Sequence, residues 1–151
     1  MPTIIPEGYK STLNIYETQR AIEIIKSVFS QNLCSELSLH RVSAPLFVRS
    51  DSGLNDDLNG IERPVEFDIA CTDTLASVVQ SLAKWKRLAL WRYGFSAGEG
   101  IYTDMNAIRR DEQLDNLHSV YTDQWDWEKI ITPKQRTTEY LKQTVRHIVR
   151  A

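Results

Sequence analysis

Cysteine, glycine and histidine are scarce in this sequence, and each scarcity excludes a class of function. The two cysteines, Cys34 and Cys71, form neither a CxxC pair nor a zinc-ligand spacing. That excludes a disulfide framework, so both are expected as reduced thiols of a cytosolic protein. The six glycines nowhere fall into a GxGxxG or Walker pattern, so neither of those phosphate-binding loops is present. His40, His118 and His147 are scattered, without a serine or cysteine placed to build a triad and without metal-ligand spacing. No apolar run approaches the roughly 20 residues of a membrane helix. The N-terminal stretch MPTIIPEGYK, with two prolines, lacks the apolar segment of a signal peptide. Neither sign of charge dominates: 18 lysines and arginines face 20 aspartates and glutamates, a net charge of −2. This weighs against a nucleic acid as partner, because phosphate contacts need a basic surface. Repeats and low-complexity segments are absent too.

What is present is ordinary in amount and informative in order. The 151 residues are 42% hydrophobic and 25% charged, enough for one domain with a core. After an extended arm (residues 1–13), Asn14 and Glu17 have the spacing of a helix-capping box. Ala21, Ile25 and Val28, flanked by Ile22, Phe29 and Leu33, predict an amphipathic helix of about five turns with an inward stripe. In ELSLHRVSAPLFVRS, Leu37 and Leu39 alternate with polar residues until Pro45, which cannot donate to a ladder. That strand is expected at an edge, or bent at Pro45. Residues 50–60 read as a loop, and PVEFDIAC as a half-buried strand.

TLASVVQSLAKWKRLALWRYG admits two readings. It is one long helix, or a buried strand followed by a helix that Ser81 caps, Leu82, Trp85 and Ala89 line, and Gly94 stops. Two alternating segments, IYTDMNAIRRDE and LHSVYTDQWDWE, predict an antiparallel hairpin closed by the short polar loop QLDN. Last, Thr132, Pro133 and Gln135 read as a helix start, with Leu141, Val145, Ile148 and Val149 as its stripe. The chain stops at Ala151 in mid-pattern.

DQWDWE raises the functional question. Successive strand residues point to opposite faces, so Trp125 and Trp127 share a packing face with Tyr121 and Asp123. Gln124 and Asp126 then stand side by side on the other face. A carboxylate beside an amide suits a zwitterion such as an amino acid; equally, the pair belongs to a solvated strand face. Lys84, Lys86 and Arg87 around Trp85 suit a carboxylate or phosphate, or form a solvated basic face. Arg109 and Arg110 end a strand where an anion could be held, or they pair with Asp111 or Glu112. Asp56 and Asp57 could take an ammonium or a metal, or serve the turn.

Four stretches in this order resemble one family: GLNDDLNGIERPV (53–65), SLAKWKRLAL (81–90), GIYTDMNAIRRDE (100–112) and LHSVYTDQWDWEKII (117–131). Together they resemble ammonia-dependent asparagine synthetase, the aspartate–ammonia ligase. HSVYTDQWDWEK is the most specific part. The resemblance runs from the first helix to the last residue and covers less than half of that family's usual length.

The resemblance implies an α+β fold, an antiparallel-dominated sheet flanked by helices, similar to the catalytic domain of class II aminoacyl-tRNA synthetases. It also implies a cytoplasmic homodimer whose first helix and Pro45 strand build the dimer. The substrates implied are aspartate, ammonia and ATP. ATP comes with Mg2+, whose ligands lie outside this chain. By match of position, Lys86 and Arg109 neutralise the reacting anions, and Arg109 contacts ATP. Asp56, Ser81, Gln124 and Asp126 match positions lining the amino-acid pocket. Two departures stand out: Gln80 replaces the family's usual histidine, and the third motif, which closes the ATP site, is missing. Residues 1–151 are therefore expected to be the N-terminal portion of one longer catalytic domain, inactive alone. The alternative expectation is a short non-catalytic paralogue that binds an amino acid or a partner subunit.

Overall fold

The computed structural model describes residues 4–56 and 58–151. Asp57, one of the acidic-loop candidates, lies outside the described residues. The chain begins with helix α1, Ile15–Leu37. Its start is the capping box expected from the sequence: Asn14 Oδ1 accepts from Glu17 N, and Glu17 Oε2 accepts from Asn14 N at 2.8 Å. Ser38, in the left-handed region at φ 54°, ends it and donates its N–H to the Cys34 carbonyl.

Pro45 divides the next segment. Strand β1 (Leu39–Arg41) pairs parallel to strand β5 (Gly100–Ile108), and strand β2 (Phe47–Arg49) pairs antiparallel to strand β4 (Thr74–Val78). The expected single strand is thus two short ones in different sheets, each at an edge, with Leu37 in the helix. Strands β3 (Glu66–Ile69) and β4 (Thr74–Val78) form a hairpin, with Cys71 exposed in its turn. PVEFDIAC is therefore a strand, but a more exposed one than its alternation suggests, since Phe67 faces solvent.

The ambiguous stretch resolves into β4 and helix α2, Ala83–Arg92. Leu82 takes the N-cap position, while the Ser81 hydroxyl accepts from Ala83 N at 3.2 Å. Leu82 and Ala89 are buried as expected, and Gly94 follows the helix at φ 73°. Strands β5 (Gly100–Ile108) and β6 (Tyr121–Lys129) form the long hairpin. Its connection covers residues 109–120, longer than the QLDN loop expected. Helix α3 is Thr138–Arg150. The Thr132–Gln135 capping box exists, yet it closes a single 3-10 turn, Pro133–Gln135, and Thr137 caps α3 itself.

Two three-stranded sheets result, in the orders β1-β5-β6 and β2-β4-β3. Only the β1–β5 pairing is parallel among the described strands. One core cluster joins the sheets and α2: Val48, Val79, Leu82, Met105 and Ala107. Another packs α1 on the hairpin: Leu33, Leu37, Leu39 and Tyr102, with Phe29, Trp125, Trp127 and Ile148 around them. Burial of each such aliphatic side chain contributes about 1.5–3 kcal/mol.

The helix stripes are where expectation and structure part. Ile25 and Val28 are 57% and 52% exposed; the core of α1 is its last two turns, at Leu33 and Leu37. Leu141, Val145 and Val149 of α3 are exposed as well. Amphipathic spacing marks a face that wants cover, but a three-stranded sheet is too narrow to cover the full length of a 23-residue helix.

Candidate active site

Register sorts the hairpin into two faces. Trp127 pairs with Tyr102, Trp125 with Asp104 and Asp123 with Asn106, so these six side chains share the face toward α1. Phe29 packs on Trp125 with ring centroids 4.6 Å apart. Lys26 of α1 reaches Asp123 at 2.9 Å and Asp104 at 3.7 Å. The bond to Asp123 holds the Lys26 ammonium above its usual pKa. Tyr102 donates to Asp104, and its phenol is pushed above its ordinary range by burial first and the carboxylate second.

The opposite face carries Thr103 against Asp126 and Met105 against Gln124. Arg109 continues the same parity beyond β5, its N–H donating to the Val120 carbonyl. Arg109, Gln124 and Asp126 therefore line one side of the sheet. At about 3.4 Å per residue, roughly 14 Å of strand separates the Arg109 level from Gln124. The sequence-derived split into a tryptophan face and a polar face matches this arrangement.

α2 lies over the polar face and brings Lys86 to it. The Lys86 side chain is 4% exposed, and its Nζ donates to Asp126 Oδ1 and, at 3.0 Å, to the Trp127 carbonyl. Glu128 stands 3.7 Å from the same Nζ and 3.6 Å from Arg87 Nε. Lys84 turns away and donates to the Asn55 carbonyl. The three bases of KWKR thus have three different jobs, and only Lys86 is buried.

At the other end, Arg109 Nη1 donates to the Gln80 carbonyl at 2.8 Å, next to Ser81. Arg110 Nη1 reaches the Pro64 carbonyl at 3.3 Å. Neither arginine pairs with Asp111 or Glu112, as the simpler reading would have it. Asp111 instead takes Arg63, through its backbone N and Nε at 3.0 Å each and through its Nη2. The Arg63 guanidinium holds the Asp111 carboxyl well down, at about 2.

The acidic loop is pinned at both ends by residues that sequence reasoning missed. Arg63 is one anchor. Asn55 is the other: its Nδ2 donates to the Val78 carbonyl, and its Oδ1 accepts from Gln80 N and Asp56 N. Asp56 stands beside that anchor, and neither its carboxylate nor the Gln124 amide has a hydrogen-bond partner among the described residues. Arg63 and Asp111 are 48 residues apart, so no local pattern could have paired them.

Lys86 and Asp126 are the candidates brought into direct contact. Ser81 and Arg109 meet around Gln80. Asp56 and Gln124 contribute unpartnered polar groups. Among the described residues no three acidic, histidine or cysteine side chains converge on a metal position. The candidate residues do not by themselves fit Mg2+. No helix is long and apolar enough to cross a membrane.

Comparison with known proteins bears on the fold and the family. A pyrrolysyl-tRNA synthetase, PylSc, of Desulfitobacterium hafniense superposes with a TM-score of 0.54 at 14% identity, over 90% of this chain and 51% of that one. At that identity the likeness speaks for the fold alone: the α+β class II synthetase type. In sequence the chain is 63% identical over 145 residues to an aspartate–ammonia ligase of Clostridium perfringens, covering 95% of this chain and 43% of that protein. The corresponding ligase of Lactobacillus johnsonii is 57% identical over 152 residues, 100% of this chain and 45% of the relative. The chain thus spans less than half the length of the curated relatives it matches. The aspartate–ammonia ligase family description, AsnA, matches residues 16–151, and the chain belongs to that family.

Proposed function

We propose that this chain supplies the aspartate-binding face and part of the ATP-binding face of a ligase that makes asparagine from aspartate, ammonia and ATP. The observation that carries the reading is the buried Lys86–Asp126 pair, on the same sheet face as Gln124 and Arg109. In the free protein each ion neutralises the other. An amino-acid zwitterion brings both charges, so it replaces that pairing without leaving either side chain unmatched: its ammonium goes to Asp126 and its carboxylate to Lys86. Gln124, Ser81 and Asp56 add hydrogen bonds around it.

Arg109 then stands toward the nucleotide. The aspartate side-chain oxygen attacks the α-phosphorus as the bond to pyrophosphate breaks, giving β-aspartyl-AMP. Ammonia attacks the activated carbonyl, the bond to AMP breaks, and a proton is released with asparagine. Two anions must approach each other in the first step, and cationic side chains lower that barrier by positioning and charge stabilisation. Mg2+ would arrive with ATP; its protein ligands are not in this half-site, and no step here depends on them.

The exposed apolar face of α1, with Ile15, Tyr16, Ile22, Ile25 and Val28, supports a homodimer as the working form. A cytoplasmic location goes with the free thiols. Residues 1–151 act as one portion of a single catalytic domain and do not turn over substrate alone.

Calorimetry of the chain with L-aspartate tests the reading. Saturable binding is expected, weakened at least tenfold in Gln124→Ala and Asp126→Asn. Binding that both variants retain would sink the assigned site. Asparagine formation from aspartate, ATP and ammonia by the chain itself would contradict its dependence on further residues.

A further inference from the structure

A polar cavity of about 470 Å³ lies between residues 58–62 and 109–112, beside the Arg109 end of the site. Two of its three acids, Glu62, Asp111 and Glu112, are hydrogen-bonded within the protein. Asp111 is taken by Arg63, and Glu62 accepts from the backbone N and Nδ2 of Asn59. Its two arginines, Arg109 and Arg110, rest on main-chain carbonyls. Neither guanidinium has a carboxylate within ion-pair distance among the described residues, although Glu112 also lines the cavity.

Gln80 also lines this cavity and is only 3% exposed. Its main chain is fully used, with N–H to Asn55 Oδ1 and carbonyl to Arg109 Nη1. Its side-chain amide has no partner among the described residues. The only fully enclosed, unpartnered side-chain polar atom among them is Trp125 Nε1, so the Gln80 amide is not sealed in; what remains open of it faces the cavity. Buried amides are normally matched, and an amide N–H left without a protein acceptor beside two guanidiniums without ion-pair partners suits the oxygen of an anionic ligand.

We propose that Gln80 donates its side-chain N–H to a phosphate oxygen of the nucleotide that Arg109 holds. Phosphate fits better than the aspartate carboxylate, which has Lys86 at the other end of the face. The proposal rests on the reading of ATP as co-substrate and adds a residue to it. Because Gln80 is a neutral donor, it orients the phosphate without adding charge.

The test is an NMR titration of the 151-residue chain with Mg-ATP, following the Gln80 side-chain amide and the Arg109 Nε–H. L-aspartate is a separate arm. Both signals are expected to shift with Mg-ATP on one saturation curve. Gln80→Leu is expected to bind Mg-ATP about tenfold more weakly, the order of effect of one hydrogen bond to a charged group. Movement of Arg109 without Gln80, or unchanged affinity in a folded Gln80→Leu, overturns the proposal and leaves the nucleotide site standing. No movement of either signal overturns both. A Gln80 shift with aspartate but not with Mg-ATP assigns the amide to the wrong ligand and also overturns it. The wild-type titration decides the question even if Gln80→Leu fails to fold.

Discussion

Lys86 carries a charge into a place nearly closed to water, and Asp126 is what makes that tolerable. Removing one member of a buried pair leaves the other uncompensated, which costs more than the pair itself contributes. Lys86→Met keeps the length and the stem but strands Asp126. It is expected to lower stability by about 3 kcal/mol, read from urea unfolding, because Asp126 retains some contact with solvent. Adding Asp126→Leu is expected to recover much of that loss, and a double-mutant cycle without coupling would contradict the pairing. Gly100 shows a different constraint. It is buried between β1 and β6, where an added Cβ would meet the Glu128 carbonyl, Leu39 Cδ2 at 2.7 Å and Lys129 Cα at 2.9 Å. Backbone atoms cannot step aside, so Gly100→Ala is expected to cost about 1–3 kcal/mol by the same measurement. The direction of Gln124 and Asp126 was legible from a period of two. The pairing of Asp126 with Lys86 was not, because it joins a helix and a strand 40 residues apart.

Among the elements, the loop 53–65 decides where Asp56 stands, and it is held by Asn55 at one end and Arg63 at the other. The Arg63–Asp111 staple ties this loop to the 109–120 connection. The folded Asp111 carboxyl titrates near 2, below its ordinary 3.8. A depressed value means that the staple's contribution is complete above about 3.8 and is lost as pH falls through about 2. The Arg63 backbone amide, which donates to Asp111 Oδ2 at 3.0 Å, reports this directly. Its chemical shift is expected to titrate with a midpoint near 2, and a midpoint near 3.8 would mean that the staple does not form in solution. Element identity was largely readable: the α1 capping box stands where spacing put it, and both hairpin strands form, with a longer connection between them than expected. The Pro133 helix start was misread because a capping box serves one 3-10 turn as well as an α-helix; the α-helix waits for Thr137.

At the scale of the whole molecule, two helices leave apolar stripes uncovered. On α1 the uncovered stripe begins beside the hairpin, where Ile22 and Ile25 border a cleft against Asp123 and Trp125, and the exposed Leu13 and Tyr16 stand near the helix start. If copies of the chain pair through it, Ile25→Glu places a charge in a desolvated interface. Sedimentation equilibrium is expected to show a dimer for the wild-type chain and at least tenfold weaker association for Ile25→Glu. A wild-type chain that stays monomeric at high concentration would remove this face from the dimer interface.

Local chemistry and periodicity were enough to determine the capping box of α1, the two faces of the hairpin and the edge placement of the strands around Pro45, and the order of four sequence stretches was enough for the family. All of these depend on neighbours a few residues apart, or on residue order along the chain. The tertiary structure alone decided which amphipathic stripe is covered, that Pro45 sends the chain from one sheet to the other, and that Asp111 chooses Arg63 over Arg109. It also decided that Gln80, a mere departure in the sequence, opens into the cavity beside Arg109. Those outcomes are contests among partners far apart in sequence, settled by which surfaces the packed sheets and helices bring within hydrogen-bonding reach.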